Sequence, residues 1–97
     1  MIVIYGSIRL KAEEVAGVQA RIPAFLEAIR AEDGYLGYDL TWDAEDPQTL
    51  HLLEHWDSAD SYEAHRVQPH VTEWAQMMSG VAEGPLNSKK FRAEAYV

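Results

Sequence analysis

Four short segments in which apolar residues alternate, and two longer ones in which they recur every three or four positions, follow each other as βαββαβ. Within 97 residues that order predicts an α+β domain of the ferredoxin-like class, a four-stranded antiparallel sheet carrying both helices on one face. No linker, low-complexity tract or close repeat interrupts it, so residues 1–97 are expected to form a single domain.

The first strand is residues 2–9, Ile-Val-Ile-Tyr-Gly-Ser-Ile-Arg, with Ile2, Ile4 and Ile8 sharing one parity. From Lys11 the period changes: Val15, Val18, Ile22, Phe25, Leu26 and Ile29 lie on one side of a helix over about 11–31. Pro23 lacks a backbone donor and predicts a kink or break near Arg21, and Glu32-Asp33-Gly34 ends the helix. Residues 35–43 alternate Leu36, Tyr38, Leu40 and Trp42 against Gly37, Asp39, Thr41 and Asp43, a second strand. Turn residues 44–48 lead into a third strand over 49–57, with Leu50, Leu52, Glu54 and Trp56 on one face, and the pair forms a hairpin. Ser58, three residues before Ser61, caps a helix carrying Tyr62, Ala64 and His65 that is interrupted at Pro69. Val71, Trp74, Ala75 and Met78 keep helical spacing up to Gly80, Gly84-Pro85 breaks it, and 87–97 reads as the last strand.

Eight Lys and Arg against sixteen Asp and Glu give a net charge of −8, which repels phosphate backbones and argues against nucleic acid as a partner. No apolar run reaches the roughly 18 to 20 residues that span a bilayer, and Met1-Ile-Val-Ile-Tyr5 lacks a basic region with a cleavage site. No membrane association and a cytoplasmic location are expected. Without cysteine, thiol catalysis, thiolate metal sites and disulfide switching are excluded. Helices on one face leave the other face of the sheet bare, while the strands carry apolar residues on both parities, so a homodimer through that face is expected.

His51-Leu-Leu-Glu54-His55 matches the H-x-x-E-H pattern of inverted zinc proteases. That motif works on a helix, where residues four apart share a face. On a strand the two histidines lie roughly 13 Å apart, too far for one zinc, and no metal is expected.

Glu54-His-Trp56 with Asp57-Ser58, then Tyr62-Glu-Ala-His65 and Gln68-Pro69-His70, follow Glu32-Asp33-Gly34-Tyr35-Leu36-Gly37-Tyr38 and the Asp46-Pro47 turn. In that order and spacing they resemble the antibiotic biosynthesis monooxygenase family of dimeric α+β barrels. The resemblance implies a family holding cofactor-independent oxygenases of quinols and aromatic polyketides, haem-degrading members, and relatives handling small signalling molecules. The haem branch uses an Asn on strand one and a Trp and a His on helix two. Here strand one has no Asn, and His65 and Ala75 stand at the other two positions, a departure that argues against haem. In the quinone-forming branch an Asn and a Trp on strand three, a Tyr at the start of helix two and a later Arg surround the substrate. Trp56 and Tyr62 match that set, while Leu52 replaces the Asn and Gln76 the Arg. The resemblance therefore implies a monooxygenase without cofactor, acting with dioxygen on a small aromatic quinol or polyketide-like phenol.

The residues make chemical sense in that role. Triplet dioxygen reacts slowly with closed-shell organics, so an enzyme without metal or flavin needs a substrate that yields an electron once deprotonated. The protein supplies an apolar cavity, a base and donors to the oxyanion. His65 and Tyr62 are the catalytic candidates, as proton acceptor and hydrogen-bond donor; Trp56, Leu52, Gln76 and His70 are the substrate-binding candidates. Against these stand plainer roles. Trp56 shares the parity of Leu50 and Leu52 and could be core, His65 a solvated helix histidine, and His70 a cap or dimer contact. Glu54 on an inward parity must pair with Arg or His or line a polar cavity. Trp74, Met77 and Met78 read as packing, and Lys89-Lys90 as an exposed edge. Two other functions fit the same scaffold: a small-ligand isomerase or binding module, and a non-catalytic dimer.

Overall fold

The computed structural model describes residues 1–97. In chain order it contains β1 (Ile2–Arg9), a 3₁₀ turn (Ala12–Glu14), α1 (Val15–Arg30), β2 (Tyr35–Trp42), β3 (Thr49–Trp56), α2 (Ala59–Arg66), α3 (Pro69–Val81) and β4 (Asn87–Arg92). The strands form one sheet in the order β2-β3-β1-β4 with every neighbouring pair antiparallel. This is the ferredoxin-like α+β fold, with β1 and β3 central.

Four local features depart from the sequence reading. Lys11 is extended, so the first helix begins with the 3₁₀ turn and is regular only from Val15. The helix then runs unbroken past Pro23, because Val18, Ile22, Phe25 and Ile29, on both sides of the proline, are anchored in the core. In β2, Tyr35 faces Trp56 while Gly37 faces His55, so Leu36 is an extra residue in a bulge and sits 51% exposed. Tyr35 thereby replaces Leu36 on the helix-facing side. β4 stops at Arg92, which pairs with Ile2 at the start of β1, rather than at Val97, and beyond it the Ala93 amide still donates to the Met1 carbonyl. The expected interruption at Pro69 is present: Gln68 is extended between α2 and α3.

Packing concentrates on the helix side of the sheet. Ile2, Ile4, Phe25, Ile29, Tyr38, Trp56 and Tyr62 form one buried cluster; Leu10, Val18, Ile22, Leu50 and Met78 form another. The Phe25 and Trp74 rings stack at 4.1 Å between centroids, tying α1 to α3. On the opposite face Tyr5, Leu53 and Phe91 are each about half exposed, with Tyr5 stacked on Phe91. His51 and His55 pair with Ser7 and Val3 on that open face, whereas Glu54 points to the helices, so the three do not converge as metal ligands. No helix is long and apolar enough to cross a membrane.

Candidate functional site

Strand alternation turns Leu50, Leu52, Glu54 and Trp56 of β3 toward the helices. Above them, Ser58 caps α2 by accepting a hydrogen bond from the Ser61 amide. The cap fixes the start of a two-turn helix whose Tyr62 and His65, three residues apart, both point inward and are buried. Gly34 lets α2 approach: its φ is +79°, and a Cβ there would collide with Ser61 and the Asp57 carboxylate.

Between the sheet and α2 and α3 lies an apolar cavity of about 710 Å³. Leu40, Leu50, Leu52, Trp74 and Met78 form its walls, residues 82–86 include part of its lining, and Tyr38, Glu54, Tyr62 and His65 form a polar end. At that end the Trp56 indole N–H donates to Glu54 Oε1 at 3.0 Å, and His65 Nε2 lies 3.4 Å from the same oxygen. The His65 ring rests on the Trp56 indole, with centroids 4.5 Å apart. Its Nδ1 meets both oxygens of Glu32, at 3.0 and 3.1 Å, and Glu32 Oε2 meets His70 Nε2 at 2.8 Å. Acid and imidazole therefore alternate in a line: Glu54, His65, Glu32, His70.

Burial raises the Glu54 carboxyl pKa; the Trp56 hydrogen bond and the nearby His65 and Lys90 charges oppose the rise in part. Burial also raises the Tyr38 hydroxyl pKa, reinforced by the negative charges of Glu54 and Glu32, so that hydroxyl stays protonated. No buried side-chain nitrogen or oxygen lacks a partner. The Tyr38 and Tyr62 hydroxyls bond to no other residue, and both residues line the cavity, so they are available as donors to a guest.

Of the residues singled out from the sequence, Tyr62, His65 and Leu52 line the cavity together. Trp56 does not: it is wholly buried beneath His65 and serves as a support for the site rather than as a wall. Gln76 lies on the exposed side of α3, outside the cavity, two residues off the inward stripe of Trp74 and Met78. His70 also lies outside the cavity, joined to the site through Glu32. Glu54 both lines the cavity and pairs with His65. Sequence reasoning missed Glu32, taken only as a helix stop, and Tyr38, taken only as a strand apolar. The helical stripe Val18, Ile22, Phe25, Ile29 extended by three residues lands on Glu32, and that phase is the signal that marks it as inward.

The family model for antibiotic biosynthesis monooxygenase matches residues 1–77, and the chain belongs to that family. No curated protein matches it in sequence. Among solved structures it is similar to a Deinococcus radiodurans protein assigned provisionally as an antibiotic biosynthesis monooxygenase. That pair shares 24% identity over 100% of this chain and 96% of the other, with a TM-score of 0.90. A conserved protein from Methanosarcina mazei Go1 shares 22% identity over 96% and 92% of the two chains, with a TM-score of 0.89. A third structure, described as an antibiotic biosynthesis monooxygenase, shares 21% identity over 98% and 100%, also with a TM-score of 0.89. At these identities the likeness establishes the shared fold.

Proposed function

We propose that the chain is a cofactor-independent monooxygenase that converts an aromatic phenol or quinol with an unsubstituted ring carbon into a quinone. The observation that carries this reading is the apolar cavity whose polar end combines an acid–imidazole pair with two unpartnered phenolic hydroxyls. With Glu32 as acceptor, His65 holds its proton on Nδ1 and turns Nε2 toward Glu54 and the cavity. Nε2 takes the phenolic proton, and the Tyr62 and Tyr38 hydroxyls donate to the oxyanion that results.

The phenolate then passes one electron to dioxygen, and the radical pair joins as a C–O bond at the free ring carbon. The peroxide takes the proton from His65. Loss of the ring C–H proton to the base breaks the O–O bond, and hydroxide leaves as water. One phenol and one dioxygen thus give one quinone and one water, with no external reductant. Leu40, Leu50, Leu52, Trp74 and Met78 supply the apolar wall against which the intermediate lies, the role that Trp56 cannot fill from beneath the site. We further propose that the chain works as a homodimer through the open sheet face.

Turnover of a phenol panel under ¹⁸O₂ tests the reaction. One labelled oxygen in the quinone and one in water, at one dioxygen per phenol, is the expected result. Conversion without oxygen uptake assigns the cavity to proton-transfer isomerisation instead, and unlabelled quinone excludes the monooxygenase reading.

A further inference from the structure

We infer that Glu32 and His70 extend the Glu54–His65 pair into a proton conduit joining the buried end of the cavity to solvent. Four titratable side chains stand in line with contacts of 3.4, 3.0 and 2.8 Å. Side-chain exposure along the line is 8% at Glu54, 4% at His65, 8% at Glu32 and 26% at His70. One end opens on the cavity through Glu54. The other reaches the surface through His70, 26% exposed at the start of α3. A carboxylate buried for structure alone is most simply held by arginine. Here each carboxylate is met by an imidazole, a group that accepts a proton on one nitrogen and releases one from the other.

The transfer balances as follows. A proton arriving at His65 Nε2 forms an N–H bond there while the Nδ1–H bond breaks toward Glu32. With the His70 proton on Nδ1 and Nε2 free to accept, Glu32 Oε2 passes the proton on to His70 Nε2, and the His70 Nδ1–H bond breaks to give one proton to water. The charged and titratable groups around His65 are Glu54 from β3, Tyr38 from β2, Tyr62 from its own helix and Glu32 from the turn after α1; Lys90 from β4 acts on Glu54. Such a path carries the charge of an arriving proton from His65 to the surface, and Nε2 is a base again once the ring's proton is back on Nδ1. Its use in turnover rests on the oxygenase reading; its existence does not.

Exchange of the His65 ring protons with water, measured by NMR on protein labelled with ¹⁵N-histidine, tests the conduit with neither substrate nor oxygen. The His70→Gln amide can still hydrogen-bond to Glu32 but cannot relay a proton, and exchange at His65 is expected to slow by about tenfold or more. In His70→Ala, added imidazole is expected to restore the parent rate. A role confined to anchoring Glu32 gives the contrary pattern: parent exchange in His70→Gln, and exchange in His70→Ala that is indifferent to imidazole. Either result overturns the conduit while leaving the oxygenase reading standing, and failure of turnover leaves the exchange result intact.

Discussion

His65 is held by three different contacts: the Trp56 indole beneath its ring, Glu32 on one nitrogen and Glu54 near the other. Tyr62 has no such anchoring bond through its hydroxyl, which suits a group that donates to a guest. Tyr62→Phe keeps the ring and removes that donor, so the turnover rate should fall about tenfold to a hundredfold while urea denaturation changes little. Glu54 offers a pH test. Burial lifts its folded pKa above the ordinary 4.5, so the stability it confers is full below that value and is lost as pH rises through the folded pKa. Glu54→Gln keeps an acceptor for Trp56 and never ionises. Its stability relative to the parent should therefore climb in chemical denaturation as pH rises above about 4.5, and a constant difference would contradict the assignment. Tyr62 and His65 were legible in the sequence because helical spacing decides which side chains share a face. Trp56 was legible as inward but not in its depth, since alternation gives the side of a sheet and says nothing of what lies between that side and the cavity.

Order and type of the elements were legible because each has a strong period; their ends were not, because the ends depend on partners. β4 stops at Arg92, opposite Ile2, and the Leu36 bulge exists only relative to β3. Gly34 shows how one residue couples three elements. It lies between α1 and β2, its carbonyl accepts from the Asp57 amide, and its missing side chain leaves room for Ser61 of α2. Gly34→Ala forces a Cβ into both the left-handed backbone and the Ser61 and Asp57 contacts, and should cost about 1–3 kcal/mol of unfolding free energy. An alanine variant as stable as the parent would show that α2 can move away freely. The turn between β2 and β3 is closed by side chains instead. Asp43 accepts from the Glu45 and Asp46 amides, and Asp46 from the Gln48 amide and the Thr49 hydroxyl, chemistry that the residues 43–49 announce directly.

On the scale of the whole molecule, one sheet face carries the core and cavity while the other presents Tyr5, Leu53 and Phe91 about half exposed. A stable homodimer covers on the order of 800 Å² per partner, and this face is the apolar surface suited to it. Sedimentation equilibrium should give twice the 11.0 kDa chain mass, and Leu53→Asp, which sets a charge in the middle of the face, should return the single-chain mass. A parent that stays at the single-chain mass at high micromolar concentration would refute the homodimer. The family, fold and acidic balance all follow from features spread along the chain and were legible early. The line from Glu54 to His70 joins β3, α2, α3 and the turn after α1, and becomes visible only when the chain is folded. The claim that this cavity reduces dioxygen with His65 as its base is tested most directly by an oxygen electrode on the parent and His65→Ala, with phenols bearing a free ring carbon. Oxygen uptake by the parent that drops about a hundredfold or more in a folded His65→Ala protein is the expected result. No uptake by the parent on any member of the panel, or uptake by His65→Ala at the parent rate, would contradict it.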